Sequence, residues 1–253
     1  MTTQREALLA AFTTEMQPER FKDYGPNGLQ VEGKDDIAKL VSGVTASRAL
    51  IDAAIETKAD AIFVHHGLFW RGQDGTVTGW MKERIKRLLA HDINLFAYHL
   101  PLDAHPTLGN NAQLGQRLGL TAVRRFGDQD LGFLGQRIDG EVFADADVLQ
   151  WQLEHVLNKP VVKVGQARAA IEKVAWCTGG AQGFFEGAIA AGAQAFITGE
   201  ISEPQAHLAR ECGVVFYACG HHATERYGAP AMAAHVADKL GIAHEFIEID
   251  NPA

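Results

Sequence analysis

Three short stretches of the sequence concentrate side chains that bind metal ions. They contain the pair His65-His66, the pair His99 and Asp103, and the pair His221 and Glu225. Each stretch is rich in Gly, Pro, Asp or Glu, which is typical of loops at the ends of strands and helices. A mixed set of imidazoles and carboxylates suits Zn²⁺, Mn²⁺, Fe²⁺, Co²⁺ or Ni²⁺ better than Ca²⁺ or Mg²⁺.

The spacing within each stretch limits how its side chains can act. Adjacent residues of a strand point to opposite faces, so His65 and His66 cannot easily bind one ion from a regular strand. They can each bind one of two ions, or straddle a bridging group. His99 and Asp103 flank a rigid Leu-Pro-Leu connection. His221 and Glu225 are four residues apart, so one helical turn places them on one face.

The candidate ligands are more numerous than a single zinc ion requires. They are His65, His66, His99, Asp103, His221 and Glu225. A mononuclear zinc site uses three or four protein ligands. The sequence therefore predicts two divalent ions roughly 3.5–4 Å apart, bridged by a carboxylate such as Asp103 or by a water molecule.

Each stretch also has a simpler interpretation. A lone His-His pair is more often incidental, a lone His-x₃-Glu is usually a solvated helix face, and Asp103 could bond only loop amides. The combination of all three at equivalent strand ends favours a metal site. We expect His105 either to orient a ligand or to be an ordinary loop residue. The remaining histidines are predicted to be structural or to lie at the surface, and His222 is expected to point away.

The elements that must position these side chains alternate along the chain. Apolar runs predict strands at 40–45, 60–66 and 93–99, and helical spacing predicts helices at 5–16 and 80–92. Ser47 is expected to cap a helix that ends near Thr57. The segments 130–138 and 140–145 are predicted to form an antiparallel pair at a Gly turn. This alternation indicates an α/β fold built from βαβ units, with mainly parallel sheets covered on both faces.

The two halves of the chain resemble each other weakly. The segment 44–66 aligns with 177–200, which places His66 opposite Glu200 at equivalent strand ends. Ligands of open α/β sheets bind beyond the carboxyl ends of the strands, so two facing sheet edges would bring the candidate residues into one cleft. Glu200 is predicted to be a proton shuttle, with a capping or ligand-orienting carboxylate as the alternative.

Composition excludes several classes of protein. The chain has 253 residues, 47% of them hydrophobic, and a formal charge of −8. The charge argues against a non-specific nucleic-acid or anionic-membrane binder, although a local basic pocket stays open. No apolar run approaches the length of a membrane span and no signal peptide is evident. Three widely spaced cysteines are typical of reduced thiols in the cytoplasm.

The motifs together resemble those of a known family, the GTP cyclohydrolase 1 type 2 proteins, which include the NGG-interacting-factor-three-like proteins. The resemblance covers nearly the whole chain. It is carried by NGLQVEG (27–33), FVHHGLFW (63–70), YHLPLDAHPTLGNN (98–111), FITGEISEPQAHLA (196–209) and GHHATERYG (220–228).

The resemblance implies a fold, a site and an assembly. It implies two interlinked, similar α/β/α domains, expected at residues 1–125 and 126–253, with a two-metal site between them. Five of the six candidate residues match the family's ligand positions, and His99 matches a sixth. The chain lacks room for the extra domain of longer members and resembles the short form, so a toroidal homohexamer is expected.

Two classes of function remain open from the sequence. The first is a metal-dependent hydrolase acting on a nucleotide-like substrate, for which the resemblance implies hydrolytic opening of guanine at C8. The second is a non-catalytic protein in which metal organises an oligomer or regulates a partner. The sequence contains no Walker A motif, no GxSxG and no HExxH. Phosphates could instead contact the metals, Arg226 or glycine-rich turns such as Gly179-Gly180, which could equally be a tight strand-to-helix turn.

Overall fold

The computed structural model describes residues 1–167 and 169–253, which form two compact units. The first unit comprises Met1–Gly109 and Arg226–Asp250, and the second comprises Asn110–Glu225 and Asn251–Ala253. The sequence places the domain boundary between residues 125 and 126. In the structure the chain leaves the first unit after Gly109 and returns to it for one more helix and strand.

The first unit contains a five-stranded sheet with helices on both faces and a separate pair of short strands. Its strands are β1 (Thr3–Gln4), β2 (Gly28–Val31), β3 (Asp36–Ile37), β4 (Lys39–Thr45), β5 (Ala61–His66), β6 (Asn94–Ala97) and, from the end of the chain, β13 (Ala243–Phe246). Its helices are α1 (Arg5–Met16), α2 (Arg48–Glu56), α3 (Gly79–Ala90), α4 (Leu100–Ala104) and α10 (Gly228–Leu240). The sheet order is β13-β4-β5-β6-β2, in which only β2 runs antiparallel to its neighbour. The short strands β1 and β3 pair separately.

Alternation along β5 explains why both faces of this sheet are covered. Phe63 packs into a core with α1 and α10, whereas Ile62 and Val64 pack into a second core with α2 and α3. The central strands β4, β5 and β6 are buried on both sides, which is why they appear in the sequence as continuous apolar runs. The Ser47 side chain accepts a hydrogen bond from the Leu50 amide at 3.1 Å, which confirms the predicted cap of α2.

A buried carboxylate joins two turns of the first unit. Asp60 Oδ2 accepts hydrogen bonds from the amides of Ala38 (2.7 Å) and Lys39 (2.9 Å), and its other oxygen pairs with Lys34. Burial raises the pKa of Asp60, but the hydrogen bonds from Lys34 and the two amides outweigh it, so the pKa lies below its usual value.

The second unit contains a six-stranded mixed sheet. Its strands are β7 (Leu120–Phe126), β8 (Gly132–Arg137), β9 (Val162–Val164), β10 (Val174–Trp176), β11 (Ala195–Thr198) and β12 (Val215–Ala218). Its helices are α5 (Asn110–Arg117), α6 (Ala146–Leu157), α7 (Phe185–Ala190), α8 (Glu203–Cys212) and α9 (His221–Glu225). The order is β7-β8-β10-β11-β12-β9, with a parallel centre of β10, β11 and β12 and antiparallel flanking strands.

The second sheet is likewise covered on both faces. Phe216 contacts Phe185 of α7, with ring centroids 4.9 Å apart, while the hydroxyl of the next residue, Tyr217, donates to the Ala146 carbonyl of α6 at 2.7 Å. Each unit therefore holds three consecutive parallel strands, β4-β5-β6 and β10-β11-β12, between helices. This confirms the predicted α/β class with two similar domains.

One predicted strand pairing is wrong. β8 pairs with β7 instead of the segment 140–145, in which Phe143 makes only an isolated bridge to Ile171. Most of β7 between its buried ends is exposed, so it lacks the alternation that would reveal a strand in the sequence. No helix among the described residues has both the length and the apolar character needed to cross a bilayer.

Candidate metal centre

His65 and His66 lie at the carboxyl end of β5, in the middle of the first sheet. Their ring centroids are 4.4 Å apart although adjacent strand residues point to opposite faces, because the strand ends there. Nδ1 of His65 donates to the carbonyl oxygen of Tyr98 at 3.2 Å. Nδ1 of His66 lies 3.1 Å from the hydroxyl of Thr45, its neighbour across β4 and β5. The sheet register therefore anchors both rings.

His99 follows β6 and lies beside this pair. Its ring centroid is 4.9 Å from that of His65 and 5.7 Å from that of His66. One ligating atom from each of the three histidines lies within 4.8 Å of the others, so the three rings could hold a metal ion.

Asp23 anchors His99, and the sequence did not point to it. Its Oδ1 accepts a hydrogen bond from Nδ1 of His99 at 2.7 Å, and its Oδ2 accepts from the Leu100 amide at 2.9 Å. The Asp23 side chain is only 3% exposed. Burial raises the pKa of this carboxyl, but the hydrogen bond from His99 helps to hold it below its usual value.

Asp103 joins these histidines through a short helix. α4 begins directly after His99, with Pro101 in its first turn, and presents Asp103 so that its Oδ1 is 3.5 Å from Nε2 of His65. The Leu-Pro-Leu connection between His99 and Asp103 therefore belongs to the first turn of α4. The first unit therefore brings together His65, His66, His99 and Asp103.

In the second unit, α9 holds His221 and Glu225 on one face, as their spacing predicts. Nε2 of His221 is 3.1 Å from Oε2 of Glu225, whose side chain is 3% exposed. Nδ1 of His221 donates to Oε1 of Glu200 at 2.6 Å. The hydrogen bond to Glu225 raises the pKa of His221 to about 9; burial opposes this shift and Glu200 adds to it.

Gly179 and Gly180 pack against this group. A Cβ atom on Gly179 would lie 1.9 Å from Oε1 of Glu225 and 3.2 Å from Nε2 of His221, and Gly179 has a φ of +71°. Its amide donates to the Thr224 hydroxyl at 3.0 Å. The glycine pair is therefore both a turn after β10 and a place where backbone closely approaches the candidate ligands.

The four candidate histidines share one arrangement. Each has its Nδ1 at hydrogen-bond distance from an oxygen: a carbonyl for His65, a hydroxyl for His66 and carboxylates for His99 and His221. A carbonyl or carboxylate can only accept, so Nδ1 carries the proton in His65, His99 and His221, and Nε2 is the nitrogen that could bind a metal ion. Histidines that bind metals are oriented by such partners. The donor set and its hydrogen bonds therefore fit divalent transition metals.

Other residues considered from the sequence make different contacts. His105 Nδ1 accepts a hydrogen bond from the Leu108 amide at 3.0 Å within its own loop, and Arg226 forms an ion pair with Glu248 at 2.7 Å. Glu200 has the position of a carboxylate that orients His221, and its side chain is 47% exposed. Its role as a proton shuttle stays a prediction.

Comparison with known proteins gives consistent matches along the chain. A sequence model of the family Duf34/NIF3 (NGG1p interacting factor 3) matches residues 3–252. A protein of Neisseria meningitidis serogroup A named GTP cyclohydrolase 1 type 2 homolog is 53% identical over 238 residues, which are 94% of each chain. The solved structure of protein ybgI, described as of unknown function, is 43% identical with a TM-score of 0.95 and covers 99% of this chain and 100% of its own. The structure of TTHA1606 from Thermus thermophilus is 30% identical with a TM-score of 0.87, covering 99% and 100%.

Proposed function

The chain belongs to the Duf34/NIF3 family, and from this we propose that it is a metal-dependent hydrolase with a dinuclear centre. Its ligands would be His65, His66, His99, Asp103, His221 and Glu225. The observation that supports this most strongly is that four histidines from three segments of the chain all have Nδ1 at hydrogen-bond distance from an oxygen, an arrangement in which Nε2 is the nitrogen that would bind a metal ion.

The residues of the chain would orient ligands and handle protons. A divalent ion would supply Lewis acidity and lower the pKa of water in contact with it to about 7. Asp23 and Glu200 hold the rings of His99 and His221. Glu200 is half exposed, and its carboxylate already accepts a hydrogen bond from Nδ1 of His221. We therefore propose that it also exchanges protons between substrate and solvent.

We propose a nucleotide-like substrate for this centre. The curated relatives carry the name GTP cyclohydrolase 1 type 2 homolog, and that name supports addition of water at C8 of a guanine ring. The pairing of Arg226 with Glu248 leaves the metal ions as the better proposed contact for phosphate groups.

We also propose a toroidal homohexamer in the cytoplasm. None of the three cysteines, Cys177, Cys212 and Cys219, forms a disulfide in the described structure, which is consistent with a reducing compartment. Light scattering of the purified protein would then give a mass six times that of the 27.5 kDa chain. A monomer or dimer at micromolar concentration would contradict the assembly without bearing on the metal site.

The decisive experiment combines metal content with turnover. Protein purified without chelator and loaded with Zn²⁺, Mn²⁺, Fe²⁺, Co²⁺ or Ni²⁺ is expected to hold two ions per chain and to hydrolyse GTP or a related nucleotide. Asp103→Ala should lose both properties. Asp74→Ala is the control, because Asp74 bonds its neighbour Thr76 in an exposed turn. Two bound ions without turnover across a broad panel of nucleotides would favour the alternative, a metal-organised binding protein.

A further inference from the structure

Two loops of the first unit are joined beside His99. The Arg71 amide donates to the Tyr24 carbonyl at 2.6 Å, and its guanidinium Nη2 donates to the Asp23 carbonyl at 2.6 Å. Gly25 permits the approach, because a Cβ atom there would lie 2.4 Å from the Phe69 carbonyl oxygen. The same Asp23 anchors His99, so the two loops and this histidine form one connected structure.

These loops carry two aromatic rings and a cation next to the candidate ligands. The Trp70 ring is 5.0 Å from the His99 ring at an angle of 90°, and 5.9 Å from the His66 ring. The Tyr24 ring is 6.0 Å from His99, and the Arg71 guanidinium is 6.0 Å from the centre of the Tyr24 ring. We name Tyr24, Trp70 and Arg71 the aromatic rim.

Burial in the core does not account for the positions of Tyr24 and Arg71. Tyr24 is 57% exposed, so its ring contributes little to the core, and Arg71 is exposed as well. An exposed tyrosine held in place by backbone hydrogen bonds has a face that a planar ligand can stack on. The contact between Arg71 and Asp23 uses one of five guanidinium N–H donors, and the fork geometry of the guanidinium suits phosphate and carboxylate groups. The chain carries a formal charge of −8, so a local cation is needed to attract an anion.

We propose that the aromatic rim binds a planar nitrogen heteroaromatic ring that carries an anionic group. Tyr24 and Trp70 contact the ring, and Arg71 contacts the anion. The identification of this ligand as the substrate rests on the function proposed above, but binding at the rim needs no metal. Loss of ring stacking at a nucleic-acid base weakens binding by roughly 5- to 150-fold, which sets the size of the expected effect.

The experiment measures binding by isothermal titration calorimetry of the full chain, in metal-loaded and chelator-treated preparations. The probes are guanosine 5′-monophosphate, guanosine and ribose 5-phosphate. Tyr24→Leu should weaken both guanine probes at least fivefold, whereas Tyr24→Phe should bind like the wild type. Arg71→Gln keeps a donor for the Asp23 carbonyl and removes the charge. It should weaken guanosine 5′-monophosphate about tenfold and leave guanosine unchanged. Trp151→Leu, at a tryptophan in the second unit that is 66% exposed, is the matched control.

The outcomes separate the rim from the metal centre. If the protein fails to take up metal when it is loaded but still binds the guanine probes in a way that depends on Tyr24, the rim is supported and the proposed hydrolase is contradicted. Normal metal uptake with nucleotide affinity unchanged in Tyr24→Leu and Arg71→Gln overturns the rim alone. Absence of saturable binding of guanosine 5′-monophosphate in both preparations also overturns it.

Discussion

Replacement of Gly179 by alanine tests whether Glu225 is a metal ligand without changing any ligand. The new Cβ would lie 1.9 Å from Oε1 of Glu225, and Cβ atoms in proteins essentially never come closer than 3.0 Å to such an atom. The carboxylate must therefore move by more than about 1 Å, whereas a metal–ligand distance tolerates a deviation of about 0.2 Å. We expect the affinity for divalent metal to fall at least about 100-fold, or roughly 2.7 kcal/mol.

Gly192→Ala provides the matched control for the backbone. Gly179 and Gly192 have φ values of +71° and +83°, so alanine is strained at both, by about 1–2 kcal/mol. Apart from Gly192 itself and its two chain neighbours, no atom of the described residues lies within 4 Å of a Cβ atom at this position. Both variants should lose stability without metal, but only Gly179→Ala should lose metal affinity.

The assay is competition with a chromophoric chelator for Zn²⁺ and Co²⁺, together with thermal unfolding of the metal-free proteins. Cobalt adds an absorption spectrum that reports the ligand geometry. A folded Gly179→Ala protein with the metal affinity and cobalt spectrum of the wild type would refute the assignment of Glu225. Equal loss of affinity in Gly192→Ala would show that the effect comes from general destabilisation.

Three further predictions follow from the same geometry. Asp23→Asn should weaken metal binding about 10- to 100-fold in the chelator assay, because it removes the charged acceptor of His99, whereas Asp74→Asn should not; equal affinities would contradict the orienting role. Metal at a hundred times its Kd should raise the unfolding free energy by about 2.7 kcal/mol in the wild type and much less in Asp103→Ala, measured by thermal or urea unfolding; an equal gain in both would exclude Asp103 as a ligand. Asp60→Asn should lower the unfolding free energy by about 1–3 kcal/mol at pH 7. Since the pKa of Asp60 is lowered in the folded protein, its stabilisation is present above the unfolded value near 3.8 and is lost as the pH falls through the folded value, so urea curves of the two proteins should converge in strong acid; a constant difference would contradict this origin.

The candidate ligand residues were predictable because their signal is local. The His65-His66 pair, the four-residue step from His99 to Asp103 and that from His221 to Glu225 are each visible within a few positions of the sequence. The strands β5, β6 and β12, which carry or precede them, also have strong patterns of apolar residues. The structure confirms that the residues within each unit lie together.

The groups that orient the histidines could not be predicted in the same way. Asp23 is 76 positions from His99 in sequence, and the acceptor for His65 is a backbone carbonyl that any residue could supply. Such contacts depend on sheet register and on loop conformation. The sequence shows that Gly179 belongs to a glycine pair. Its contact with Glu225, however, depends on where β10 ends relative to α9.

The fold departs from the sequence prediction where local patterns are ambiguous. Pro101 suggested a rigid loop, yet proline is also favoured in the first turn of a helix, and α4 begins there. The predicted division at residue 125 assumes that each domain is one continuous segment, whereas the first unit also contains Arg226–Asp250. The pairing of the last strand with β4 is a long-range contact that no local pattern encodes.

The position of β13 in the first sheet has a consequence for biosynthesis. Ala243–Phe246 pairs with Lys39–Ser42, some two hundred residues earlier in the chain. Translation proceeds from the N-terminus, so the ribosome has made every residue up to Glu225 before this partner exists. The edge of β4 therefore stays unpaired while the ribosome synthesises Asn110–Glu225 of the second unit, and the first unit is completed only near the end of translation. Nascent chains stalled before residue 243 should present that edge to chaperones or to neighbouring chains.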